Sequence, residues 1–190
     1  GARLAENGLG YLFPVFTLSY LTKNLGLPKN MVLIGLVVAS FAQIFGVLGA
    51  SILSDKIGRR PVYIGAAIFC ALFAFPFFML VNTQSTPLIY LALILAIAIG
   101  VGRMFGPQAA YFAELFGPRI RYSGFAFARE LGSILAGGPA PFIATWLLIQ
   151  GCGTPWLVAI YIIVLSVITA IAVYFGPETY KSDITEERMK

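Results

Sequence analysis

The chain has 190 residues, of which 59% are hydrophobic and 11% charged, with a formal net charge of +5 and no histidine. A mean hydropathy of +0.88, with the charges gathered into short clusters between apolar runs, excludes a soluble globular domain. The basic residues sit mostly at alternate hairpins and form no stripe with interleaved aromatics, so nucleic acid is not an expected partner. The lack of histidine removes imidazole metal sites and imidazole bases. Cys70 falls inside an apolar run and Cys152 in a hairpin on the opposite face, a placement that predicts free thiols.

In chain order, the first membrane span is predicted over residues 1–21. The chain opens on Gly1 with no basic leader, and the expectation is that it starts within a longer protein. Arg3, Glu6 and Asn7 lie near its start, and three-residue spacing lets Arg3 and Glu6 pair on one helix face. Two placements stay open for them: the headgroup layer, if the helix starts at Gly1, or a bundle interior or cavity, if it begins upstream. A polar outer loop over 22–30 precedes the second span, 31–53. There Ala42, Gly46, Ala50 and Ser54 recur every four residues, a small-residue stripe that lets helix backbones approach. Gln43 suits either an interhelical hydrogen bond or a solute contact.

Between the second span and the third lies Ser54-Asp55-Lys56-Ile57-Gly58-Arg59-Arg60-Pro61. Both flanking runs have the ~20 helical residues that cross a bilayer, so the octet is a tight hairpin at one face. Gly58 permits the backbone angles of such a turn, and Pro61 suits the first turn of a helix. Lys56, Arg59 and Arg60 mark that face as cytoplasmic. Asp55, an anion at a helix C-terminus, needs a cation or a helix N-terminus to compensate it. The octet resembles the signature loop of the major facilitator superfamily, Asp-Arg/Lys-x-Gly-Arg-Arg/Lys between two transmembrane helices. Asp55, Lys56, Gly58, Arg59 and Arg60 all match, and Ser51 stands where that family usually has glycine.

The third span is predicted over 62–81, interrupted by Pro76, and the fourth over 87–112. The fourth carries Arg103, a second small stripe at Ala98, Gly102, Gly106 and Ala110, and Pro107, which kinks or ends its regular helix. A second basic turn follows, Glu114 to Gly124, whose spacing lets Glu114 meet Arg121 beyond the turn. With the Gly/Ala-rich helix after it, this segment is similar to the metabolite:proton symporter branch of the superfamily. The fifth span, 122–148, begins where that branch's motif ends and carries Arg129-Glu130 in place of a frequent Tyr-Gln pair. Its stripe of Gly124, Ala128, Gly132, Ala136 and Ala140 leads into Gly137-Gly138-Pro139-Ala140-Pro141. Pro139 and Pro141 free the carbonyls of Leu135 and Gly137, which is tolerated at membrane depth only where protein or cavity water satisfies them. Such a break serves as a transport site or hinge, or simply bends the helix around its neighbours. A sixth span over 154–175 ends in Pro177-Glu178-Thr179, a triplet that recurs in the superfamily, and a polar tail covers 181–190.

Eight Lys and Arg fall on one predicted face (Lys56, Arg59, Arg60, Arg119, Arg121, Lys181, Arg188, Lys190) and two, Lys23 and Lys29, on the other. That asymmetry predicts six spans with a cytoplasmic C-terminus in a bacterial inner membrane. The expected fold is all-α, a six-helix bundle over 1–180. By resemblance it is the C-terminal half of a twelve-helix facilitator whose partner is an N-terminal six-helix half. The resemblance implies a small polar organic solute, an organic acid or a zwitterion, moved with a proton by alternating access and without a cofactor. Glu6, Glu130 and Glu114 are the acidic candidates for the proton. Arg103 and Arg129 suit an anionic solute or pairing with Glu130 and Glu6, Asn7 lies on the same path, and Glu114, Arg119 and Arg121 suit gating with the signature loop. The rivals are a six-helix channel or structural protein and, further off, an intramembrane enzyme, which would need a nucleophile with a base or a metal cluster.

Overall fold

The computed structural model describes residues 1–115 and 121–176, with the side chains of residues 113–115 and 121 left aside. Residues 116–120 of the Glu114–Gly124 turn, including Arg119, the triplet at 177–179 and the tail lie outside the described residues, as do the side chains of Glu114 and Arg121. Among the described residues there is no strand. Six helical runs follow one another: α1 over 4–24, α2 (Lys29–Ile57), α3 (Arg59–Asn82), α4 over 86–115, α5 over 121–150 and α6 (Trp156–Phe175).

Five of them, α2 to α6, are long and apolar enough to cross a membrane. The first run is helical over a similar length but carries Glu6, Asn7 and three glycines or prolines among its apolar residues, which lowers its hydropathy. Apolar side chains face outward from several of these helices. Phe45 of α2 is 75% exposed and Phe142 of α5 is 80% exposed, an apolar outer surface suited to lipid or to another apolar helix face.

The joint between α2 and α3 is a single residue, Gly58, with φ +106° and ψ 160°. L side chains rarely adopt that φ, so glycine is what lets two long helices meet without a loop. Asp55 finds its compensating cation next door, in an ion pair with Arg59. Arg59 also donates to the Ser54 hydroxyl at 3.0 Å. Arg60 reaches across the bundle, donating to the carbonyls of Val173 and Tyr174 at the end of α6, with its guanidinium over the Tyr174 ring. Those carbonyls lie in the last turn of α6, where a cation acts favourably on the helix end.

The two small-residue stripes on α2 and α4 meet each other. A Cβ added at Gly46 would strike the Ala98 carbonyl, and one at Gly106 would stand 2.8 Å from the Val47 carbonyl oxygen. Ser51 uses the close approach to donate to the Gly106 carbonyl at 3.2 Å. Because lipid supplies no hydrophobic drive between helices, this backbone proximity and its dispersion contacts hold the seam. The stripe on α5 packs against α1 in the same manner, with Ala136 and Ala140 beside Gly8.

Elsewhere the core is aromatic. Phe13, Phe16 and Tyr20 of α1 meet Phe77 and Phe78 of α3, with Phe13 and Phe77 edge-to-face at 5.0 Å and Phe77 and Phe78 at 5.1 Å between centroids. Three helices carry wide π-helical turns: Leu12–Phe16 and Tyr20–Asn24 in α1, Leu95–Val101 in α4 and Ser133–Gly137 in α5. The Gly-Pro segment of α5 follows the last of these. Gly138 and Pro139 keep right-handed helical dihedrals, and the regular helix resumes at Ala140. The chain stays helical through the expected break, with the Gly138 N–H bonded to the Ser133 carbonyl at 3.0 Å and the Pro139 carbonyl accepting from the Ile143 N–H at 2.9 Å.

Candidate functional site

The side chains near the start of α1 sit inside the bundle. Arg3 and Glu6 make an ion pair at 3.1 Å with their side chains 8% and 4% exposed. Burial of this kind is costly unless the remaining polar atoms are also bonded. Glu6 accepts a second hydrogen bond from Gln108 of α4 at 2.8 Å. Arg3 donates to Asn7 Oδ1 at 3.2 Å and has the Phe112 ring 6.0 Å from its guanidinium carbon. The backbone around them is pinned as well. The Tyr63 hydroxyl donates to the Ala2 carbonyl, while Thr169 accepts from the Ala5 N–H and donates to the Gly1 carbonyl. Arg3, Glu6 and Asn7 are thus buried within the bundle rather than on its outer surface.

A cleft of about 420 Å³ opens over this cluster. From α1 it is lined by Arg3, Glu6, Asn7 and Tyr11, and from α2 by Gln43. Phe105 closes it from α4, and Arg129, Glu130 and Ser133 come from α5. It is polar at its floor and one flank in a molecule that is otherwise apolar, and its volume suits a small organic molecule. Arg129 lies near enough to Glu6 to act on it electrostatically, but both Arg129 and Glu130 are exposed at the cleft's rim. Ser133 donates to the Arg129 carbonyl at 3.2 Å and lies 3.5 Å from Asn7 Oδ1, joining α5 to α1.

Glu6, Asn7, Arg129 and Glu130 thus come together around one cleft. Arg103 does not join them: it is exposed on α4 and does not line the cleft. The signature residues Asp55, Lys56, Gly58, Arg59 and Arg60 form the α2–α3 joint, away from the cleft. Of the Gly-Pro segment, Gly137 packs on the Tyr11 ring, where an added Cβ would stand 2.9 Å from two ring carbons. Gly138, Pro139 and Pro141 lie further along α5. Gln108 and Thr169 were not singled out in the sequence, and Arg3 was read only as a partner for Glu6. A glutamine directly after Pro107 in an apolar run was the available signal. Among the described residues, no group of three His, Cys, Asp or Glu side chains is placed to hold a metal.

A family model of the Major Facilitator Superfamily matches residues 4–189. The chain belongs to that superfamily. It is 36% identical over 170 residues to the shikimate transporter of Escherichia coli (strain K12), covering 89% of this chain and 39% of that protein. It is 34% identical over 184 residues to the inner membrane metabolite transport protein YhjE of the same strain, covering 93% of this chain and 40% of that one. The proline/betaine transporter of Salmonella typhimurium is 29% identical over 171 residues, 90% of this chain and 34% of its own length. The chain therefore spans about two-fifths or less of these relatives. No solved structure matches it. The facilitator assignment read from the Asp55–Arg60 turn is met, and the relatives fall in the metabolite:proton symporter branch suggested by the Glu114–Gly124 segment. The chain is an integral membrane protein of a transporter family, not an enzyme, and its six helical runs make a half-sized facilitator fold.

Proposed function

We propose that this chain is the C-terminal half of an inner-membrane secondary transporter, working with an N-terminal six-helix half and ending on the cytoplasmic side. The solute is a small polar organic acid or zwitterion, moved with a proton by alternating access of the cleft, and the proton is the coupling ion in place of any cofactor. Shikimate, proline and betaine, named for the relatives, are the first solutes to test.

The observation that carries this reading is Glu6, an acid held inside a polar cleft by Arg3 and Gln108. A proton carrier must exchange one partner for another as access changes, and a buried ion pair is such an exchangeable contact. When Glu6 is ionised it neutralises Arg3; when it takes a proton the pair is released. In this reading Glu130, exposed at the rim of the same cleft, exchanges protons with water on the way to Glu6. The test is uptake by the full-length transporter in proteoliposomes under an imposed proton gradient. Accumulation of at least one of the three solutes, abolished by dissipating the gradient, is expected. Ion conductance without saturable accumulation would replace this reading with a channel.

A further inference from the structure

The polar cluster is bonded on one side and unfinished on the other. Arg3 Nε and Asn7 Nδ2 are both buried without a hydrogen-bond partner, in residues that are each only 7% exposed. The neighbouring atoms Arg3 Nη2 and Asn7 Oδ1 are already engaged. Arg3 Nη2 serves Glu6 and Asn7 Oδ1, and Asn7 Oδ1 also faces the Ser133 hydroxyl. A buried donor without an acceptor is rare because it forfeits its hydration for nothing. Two of them four residues apart on one helix face need a reason.

They converge on one place. A Cβ built on Gly132 of α5 would stand 3.2 Å from Asn7 Nδ2 and 3.4 Å from Arg3 Nε. Any residue but glycine would put a side chain over both donors. The pair offers two N–H groups, one of them on a cation, and no acceptor. That set fits the two oxygens of one carboxylate and does not fit an amine, an alcohol in need of an acceptor, or a metal.

We propose that Arg3 Nε and Asn7 Nδ2 are the seat of the solute's carboxylate, covered in this conformation by Gly132. The proposal rests on the transport reading above and specifies which group of the solute is read, and by what. Arg3 then serves two anions in turn. With Glu6 ionised, Arg3 is neutralised by it. With a proton on a Glu6 carboxylate oxygen, the solute's carboxylate takes over that role. The cluster is neutral in both states; the one bond that forms is the Glu6 O–H, its proton taken from water on the side where the solute enters and returned to water where the solute leaves. The seat opens as α5 moves off α1, and the wide turn at Ser133–Gly137, directly beyond Gly132, is where α5 yields.

The experiment uses the purified full-length transporter and two matched probe pairs: shikimate with its methyl ester, and glycine betaine with choline. Ligand-dependent thermal stabilisation gives affinity, and proton-driven uptake is measured separately. The wild type is expected to bind at least one acid about tenfold or more tightly than its masked analogue, the difference that charged hydrogen bonds supply. Asn7→Asp should remove that preference, read as the ratio of acid to analogue affinity, and Asn7→Gln should retain part of it. Gly132→Ala keeps both donors but fills the approach, and it should weaken the acid as well, so a misfolded Asn7 variant does not decide the matter. A wild type that favours neither acid, or variants at both positions that keep acid affinity within about twofold, overturns the seat. Acid preference without proton-driven uptake keeps the seat and removes the transport reading. Uptake with both variants unchanged does the reverse.

Discussion

At residues 3–7, α1 is held in the bundle by an ion pair and hydrogen bonds, while at residues 13–20 the same helix is held by aromatic rings. The aromatic end packs Phe13, Phe16 and Tyr20 against Phe77 and Phe78 in edge-to-face contacts that need no particular charge state. The polar end depends on Arg3, Glu6 and Gln108 satisfying one another, and it leaves two donors over. Rings contribute stability through area and dispersion and lose it in proportion to what is removed. A buried charge cluster changes its whole set of partners when one proton moves. One end of α1 is an anchor, and the other is the part of the molecule able to respond to a proton.

Substitutions at the two ends should therefore fail in different ways. The largest effect is expected from Glu6→Gln, which keeps shape and the contact to Gln108 but removes the proton site. Proton-driven accumulation by the full-length transporter should vanish while exchange of labelled for unlabelled solute persists; retained accumulation would take the proton away from Glu6. At the anchor, Phe77→Ala should cost about 3 kcal/mol of stability, as for a fully buried ring. This would be seen as a lowered thermal midpoint, with the half-saturating solute concentration unchanged in the protein that remains folded. A shift in that concentration would mean that the anchor and the cluster are coupled.

Smaller effects sharpen the contrast within the cleft. Glu130→Gln at the rim should alter coupled uptake by no more than about fivefold, matching the ~1 kcal/mol ceiling of exposed charge interactions. Full uncoupling by this variant alone would make Glu130, not Glu6, the carrier. Arg103→Ala should leave the half-saturating concentration within about twofold, the usual scale of an exposed substitution. A larger rise for an anionic solute, measured by uptake titration, would mean that Arg103 enters the path in another conformation.

The membrane architecture was legible because the bilayer fixes helix length and because Gly58 with its flanking charges can sit only at a turn. The stripes on α2 and α4 marked faces of close helix approach, but four-residue spacing did not say that these two would meet each other. The Arg3–Glu6 contact followed from three-residue spacing on a helix. Gln108 was not legible: it meets Glu6 across 102 positions of sequence, and no local period records such a contact. Arg103, read as suited to an anionic solute, is turned outward by its helix and does not line the cleft, a placement that the apolar run around it did not record. The helical ends also ran past the polar residues thought to stop them. Asp55 and Lys56 belong to α2, with Asp55 pairing across the glycine to Arg59.

The one-residue joint at Gly58 sets the direction in which the molecule can gape. Two peptide links hold the adjoining ends of α2 and α3 within ~7.6 Å at Cα, and Arg60 fastens that end of α3 to α6. The α2 helix, which carries Gln43 of the cleft, is a lever with its fulcrum at the joint. Over its 29 residues it reaches about 43 Å. A tilt of about 10° at the fulcrum thus sweeps the Lys29 tip through about 7 Å, the width of a small organic molecule, while the fulcrum end barely stirs.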